Sequence, residues 1–472
     1  MTLRANTFSS IRWTSFSSVF KVILQLAQLA ILARILLPSD YGLMAMVTVV
    51  LGFGSMFSDM GLGSAYIQRK DVSEIERSSL FWMNLAMGLG ITSIVLVLSP
   101  LFALWFGDER LTPLIMLSSI TFTISALGLQ LRMTAEKNLN FRPVVLIEMG
   151  TALIGFFAAV IAALNGLGVY ALIIGGITGA TVSTVSNWLF LANGWRPLLQ
   201  FKISAVSSYL GFGGALVANN IVNEVNRNID IFLGGRLLGA DLLGIFSIPR
   251  QIVFQIQGAV NPIVTRVGFP LIAQIQFDIP KVRSIYLKTL DMTASINAPI
   301  YIGVAFFAPE VIAIALGDNW ASAAELLRVL AIWGAFRSLG NPVGSLLLGM
   351  GRADLSLKWN IAMLAIFPPV VWLGSQYGIV GIAVSLLLAQ ILLFIPNWYL
   401  QIKPICGARL KEYSVVSLRP MMLAAISIGG VYLALSGVDG NLLRLALGVV
   451  FSAPIYLYFS YKAKSEFLPS ML

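Results

Sequence analysis

Residues 34–42 read R-I-L-L-P-S-D-Y-G, and residues 236–244 read R-L-L-G-A-D-L-L-G. In each, a Gly follows an Arg by eight positions: Gly42 after Arg34 and Gly244 after Arg236, an offset of 202. A second set of matches runs at an offset of 210: Asn187-Trp188 with Asn397-Trp398, Gly168 with Gly378, and Arg142 with Arg352. The shared order gives residues 1–192 a resemblance to 205–401 with about eight residues inserted, joined by a short linker at 193–204 and followed by 402–472 as an appendix; chance similarity between apolar segments is the plainer alternative. Internal repetition of this kind is common among secondary transporters.

The repeat is set in a strongly apolar chain. Of 472 residues, 58% are hydrophobic and only 11% charged, under half the roughly 25% of an ordinary soluble domain. The mean hydropathy is +0.86. A spanning helix needs about 20 mostly apolar residues. That criterion predicts fourteen: 11–37, 41–67, 79–105, 112–133, 145–164, 168–192, 205–233, 241–273, 284–315, 321–349, 354–374, 378–400, 415–436 and 441–461. The expected fold is therefore an all-α polytopic membrane protein with two six-helix lobes and two C-terminal helices. Six is even, so both lobes insert in the same orientation and the repeat is parallel. The first apolar segment runs past Leu37, too long for a signal-peptide core of about 7–15 residues, and is expected to be retained.

Charge supports this topology. The excess of 31 Lys+Arg over 21 Asp+Glu gives +10. In a membrane protein, basic loops mark the cytoplasmic side, so no nucleic-acid partner is implied. With the N-terminus inside, Arg69, Lys70 and Arg77, then Arg132, Lys137 and Arg142, and so on to Lys403, Arg409, Lys411 and Arg419, fall in alternate connections. In all, 21 of the 31 basic residues are assigned to the cytoplasm and four (Arg34, Arg110, Arg236, Arg444) to the outside. Both termini are expected in the cytoplasm. The connections are short, and no sizeable soluble domain is expected.

Some enzymatic chemistries are excluded outright. There is no His and one Cys, Cys406. Ser-His-Asp triads, Cys-His dyads and His-ligated zinc are therefore ruled out. Cys406 is expected to be a bystander in a loop.

Ionisable residues inside spanning helices are costly and usually face protein or water. Helix 1 carries Ser17, Lys21, Gln25 and Gln28 on one face. Helix 7 carries Asn223, Glu224, Arg227 and Asp230, with both acids three residues from Arg227. Helix 2 has Thr48, Ser55 and Asp59, and helix 8 has Arg250, Gln257 and Asn261 at the same spacings. At the offset of 202, Lys21, Gln25 and Gln28 fall on Asn223, Arg227 and Asp230, and Thr48, Ser55 and Asp59 on Arg250, Gln257 and Asn261. Arg337 and Asn341 share a face of helix 10 with Ser345. These residues are expected to line a polar space. Its cations, Lys21, Arg227, Arg250 and Arg337, would favour an anionic ligand, and Arg suits phosphate because its planar fork donates two parallel hydrogen bonds. The plainer alternative is interhelical glue, to which Arg266, Arg328 and Glu325 are assigned. Trp13 and Trp333 are read as packing or interfacial anchors ahead of any sugar-stacking role.

The stretch R-I-L-L-P-S-D-Y-G-L, with F-S-D-M-G-L-G-S-A-Y-I-Q-R-K after it, resembles the bacterial Wzx-type polysaccharide flippases. The branch exporting colanic acid and related exopolysaccharides is the nearest in pattern. These belong to the MOP superfamily, with the MATE drug antiporters and the lipid II flippases. The resemblance implies alternating access between two six-helix lobes in the bacterial inner membrane. It implies an undecaprenyl-diphosphate-linked oligosaccharide as cargo, membrane lipids as surroundings, and a polysaccharide polymerase with its chain-length machinery as partners. No cofactor is expected beyond an H⁺ or Na⁺ gradient, for which Asp59, Glu224 and Asp230 are the candidate carboxylates. The rivals are a MATE-like antiporter, which should have an acidic cavity, and a membrane glycan polymerase or ligase, which usually needs a large loop domain or a metal-binding acidic pair.

Overall fold

The computed structural model describes residue 17 and residues 20–59, 62–69 and 71–463, with the side chains of 59, 64, 68, 204–220, 260–270 and 318 excepted. Among the described residues there is no strand. Nine helices among the described residues are long and apolar enough to cross a membrane, or up to eleven when each of two bent pairs is taken as one span. The fold is thus all-α and multi-pass, and the described residues do not supply the fourteen expected spans. The chain divides into two compact units, Met1–Gly244 and Ile245–Leu472.

The first unit contains α1 (Phe20–Leu32), α2 (Pro38–Asp59), α3 (Leu62–Gln68), α4 (Glu74–Phe106), α5 (Leu111–Lys137), α6 (Phe141–Leu164), α7 (Tyr170–Leu191) and the beginning of α8 (Ile203–Gln274). Local chemistry sets the boundaries. Pro38 opens α2, where its missing N–H costs nothing, and Asp40 accepts from the Leu37 N–H at 3.0 Å. Ser73 and Glu76 form a capping box at the start of α4, and Gly107 closes it at φ 74°; both devices satisfy backbone groups that a helix end leaves open. In the turn beyond, the hydrogen bonds from Arg110 hold the Asp108 carboxyl below its ordinary range. The turn expected between helices 5 and 6 is present as the break between Leu164 and Tyr170.

The segment after α7 is fastened to α4. Ser78 and Ser79 hydroxyls accept from the backbone N–H groups of Leu198 and Lys202, and the Trp82 indole donates to the Leu198 carbonyl at 2.8 Å. Trp195 donates to Glu74 at 2.8 Å and lies under the Arg77 guanidinium at 4.0 Å.

α8 is two helices joined at Gly239, whose φ of 78° and ψ of 177° are non-helical. Only Gly occupies that region readily. Before the break, Phe232 packs on Phe53, Trp105 and Phe106. After it, the two copies of the opening motif meet. A Cβ on Gly42 would fall inside the Ala240 carbonyl oxygen, and a Cβ on Gly244 inside that of Pro38. Small residues allow backbones to approach this closely in membrane bundles.

The second unit contains the rest of α8, α9 (Ile279–Phe306), α10 (Ala308–Ala315), a 3₁₀ turn at Asp318–Trp320, α11 (Ala323–Ser338), α12 (Asn341–Gly349), α13 (Ala353–Ser375), α14 (Gly378–Leu392), α15 (Phe394–Asn397), a π turn at Trp398–Ile402, α16 (Lys403–Cys406), α17 (Leu410–Ala434) and α18 (Asn441–Lys462). α9 packs on α11 and α17, and α13 on α14. The expected break between helices 11 and 12 is present: α13 ends at Ser375 and α14 starts at Gly378 with φ 71°. Its counterpart Gly168 also has positive φ, 52°, so the matched glycines serve matching turns. Cys406 is buried within α16 rather than in a loop, its thiol directed at the Ile402 carbonyl.

Three carboxylates of this unit are held by arginines on other helices. Asp291 accepts from Arg419 at 2.7 Å and Glu310 from Arg444 at 2.9 Å, with both acid side chains 2% exposed. Arg283 pairs with Glu412. A charge taken out of water needs such a partner.

Candidate functional site

In the second unit, Arg250 and Phe254 are one turn apart on α8, and Trp333 and Arg337 one turn apart on α11. The Arg250 guanidinium lies 4.5 Å from the Phe254 ring centroid. Arg337 lies 5.1 Å from the same ring and 5.1 Å from Trp333. Phe254 meets Trp333 edge-to-face at 5.9 Å. One turn further along α8, Gln257 donates to the Asn341 side-chain oxygen at 3.4 Å. Tyr301 on α9 braces α8 through a hydrogen bond to the Val253 carbonyl at 3.1 Å.

The result is a patch with two half-buried cations, an aromatic ring in contact with both and an amide pair beside them. Aromatic faces attract guanidinium groups and fix their planes. An arginine so placed can still present its fork to an anion. Arg250, Gln257, Arg337 and Asn341 were all singled out in the sequence, and the structure brings them together. Trp333 is buried and packs, as its plainer reading held. The contribution of Phe254 had no signal of its own, although an aromatic one turn from an intramembrane Arg could have drawn notice.

In the first unit, Lys21 on α1 donates to Glu148 on α6 at 2.7 Å. Arg132 on α5 donates to the other Glu148 oxygen at 2.7 Å and to Glu136 at 2.8 Å. Glu148 was missed in the sequence because it lies near the start of helix 5, although an acid in V-V-L-I-E-M-G is itself a signal. Arg132 was assigned to a connection, whereas α5 carries the helix on to Lys137. Of the other helix 1 residues, Ser17 is buried, Gln25 exposed and Gln28 half-buried.

On the first part of α8, the Glu224 carboxylate accepts from Asn228 at 2.7 Å. It also lies against α2, where a Cβ on Gly52 would come within 3.0 Å of its oxygen. Asn223 and Arg227 are exposed and Asp230 is buried. The side chains of Asp59, Asn261 and Arg266, and all of Trp13, lie outside the described residues. Among the described residues, no cluster of three or more His, Cys, Asp or Glu side chains is placed to hold a metal.

Apolar helices of membrane length, carrying charges paired or gathered within them, define a multi-pass membrane protein. A family model described as "Polysaccharide biosynthesis protein" matches residues 31–325, and the chain belongs to that family. It is 32% identical over 425 residues to the lipopolysaccharide biosynthesis protein WzxC of Escherichia coli K12, covering 90% of this chain and 86% of that one. The fold is shared with solved transporters. The lipid II flippase MurJ, in an inward closed conformation, superposes with a TM-score of 0.76 at 14% identity, covering 96% of this chain and 99% of that one. A multidrug resistance MATE family transporter of the MOP superfamily, in an inward-facing conformation, gives 0.61 at 14% identity, covering 88% and 96%.

Proposed function

We propose that the protein is a flippase that moves undecaprenyl-diphosphate-linked oligosaccharide repeat units across the bacterial inner membrane by alternating access, for the synthesis of an exopolysaccharide, capsule or O-antigen. The observation that carries this reading is the Arg250–Phe254–Arg337 cluster. Two guanidinium groups on one ring supply forked donors for a diphosphate, and the Gln257–Asn341 pair beside them suits sugar hydroxyls. A carrier of cationic drugs would be poorly served by such a patch, which disfavours the MATE-like alternative. Kinship to a polysaccharide biosynthesis family supports the cargo, and the MurJ-like fold supports translocation as the action.

The prenyl tail would stay in lipid while the charged head group enters the protein, where the arginines offset the cost of leaving water. Both termini face the cytoplasm in this reading, and the polymerase and chain-length machinery act on the delivered units. Coupling to H⁺ or Na⁺ would fall to Asp59, Glu224 or Asp230.

The test is replacement of Arg250 and Arg337 together by Gln in a strain whose polymer depends on this gene. Secretion is expected to fall at least about tenfold, with lipid-linked repeat units accumulating on the inner leaflet and the protein still present in the membrane. Normal secretion by the double variant would refute the reading.

A further inference from the structure

Lys21, Glu148, Arg132 and Glu136 form one chain of ion pairs across α1, α6 and α5, with Glu148 at its centre. One Glu148 oxygen takes Lys21 at 2.7 Å, with the Ser17 hydroxyl at 3.5 Å; the other takes Arg132 at 2.7 Å. These side chains are far from sealed: Lys21 is 37% exposed, Glu148 22%, Arg132 45% and Glu136 26%.

Arg132 lies five residues before the end of α5 and Glu148 seven residues after the start of α6. At about 1.5 Å per residue, that is roughly 8–10 Å along the helices. Side chains as long as these reach water or head groups from such positions, so the cluster is open to a ligand at the basic end of the unit.

Among the described residues, the cluster sets two cations against two carboxylates. Glu148 places one oxygen on a Lys and one on an Arg, as two oxygens of a phosphate group would be placed. Resting on the flippase reading above, we propose that this cluster is a second binding site for the diphosphate of the lipid-linked cargo, with Glu148 as its built-in competitor. A phosphate group gains the Lys21 and Arg132 donors only by displacing the Glu148 carboxylate. When the cargo leaves, Glu148 returns and reseals the pair. The competitor keeps the cluster from holding a highly charged ligand too tightly to release, since affinity is the difference between ligand and occupant.

Binding of farnesyl diphosphate to the purified full-length protein tests this. Glu148→Gln leaves both cations without their shared competitor and is expected to lower the Kd about tenfold, equivalent to about 1.4 kcal/mol. Glu148→Asp, which keeps the charge but shortens its reach, should fall between. Lys21→Gln and the Lys21→Gln/Glu148→Gln double variant should lose the tightening. Unchanged or weaker binding in Glu148→Gln overturns the proposal. So does a double variant that merely regains the melting temperature lost by each single one, with binding unaffected throughout, because that is the behaviour of a structural ion pair.

Two further arms separate the sources of failure. If the wild type binds farnesyl diphosphate, and Arg250→Gln/Arg337→Gln abolishes this while Glu148→Gln does not alter it, the Glu148 cluster fails and the flippase reading stands. If neither the wild type nor Glu148→Gln binds it, both fall. Nanodiscs of phosphatidylglycerol and of phosphatidylcholine distinguish cargo from resident lipid. Tightening that appears only as retention of phosphatidylglycerol removes the cargo from this site.

Discussion

Asp291 is held by Arg419 at 2.7 Å, with its own side chain 2% exposed. Removing one partner of such a pair strands the other in a low dielectric, whereas removing both can be nearly neutral. Asp291→Asn should therefore cost about 3 kcal/mol, read as a lowered melting temperature in detergent. Replacing both residues with Leu should recover most of it. The same logic explains what a sequence reveals of its charged sites. Lys21, Arg250 and Arg337 stand out because each interrupts an apolar run. Their partners do not, because Glu148 lies 127 residues from Lys21 and Phe254 looks like any core residue. Periodicity reports a helix face; it does not report which other helix that face meets.

At the scale of elements, the breaks between helices were more legible than their ends. Gly168 and Gly378 mark turns because a positive φ suits Gly. By contrast, charge alone argues for water and so places Arg132 in a connection, yet α5 runs on to Lys137 with Arg132 paired to Glu136 along it. Gly239 holds a backbone conformation closed to side-chain-bearing residues, at φ 78° and ψ 177°. Gly239→Ala should destabilise the protein by about 1–3 kcal/mol. Such a loss would be visible in a melting curve, accompanied by reduced polymer secretion. A variant matching the wild type in both would show that the backbone there relaxes without cost.

For the whole molecule, the loop charges predict a topology that can be labelled. Cys406 is the single cysteine and is buried, so the background in intact cells should be low. A cysteine at Asp439, between α17 and α18, is expected to react with an impermeant maleimide in intact cells. One at Asp71, between α3 and α4, should react only after the membrane is opened. The opposite pattern would invert the orientation. The contact between Gly42 and Ala240, mirrored by that between Gly244 and Pro38, bears on the gene's history. Residue i meets j while the repeat of i meets the repeat of j, which is the self-complementarity of an isologous dimer contact within one polypeptide. The four positions are thus bound to drift together: a bulkier residue at either glycine is tolerated only if the carbonyl opposite gives way, and a half-gene exchanged between relatives must bring a surface that still fits its twin.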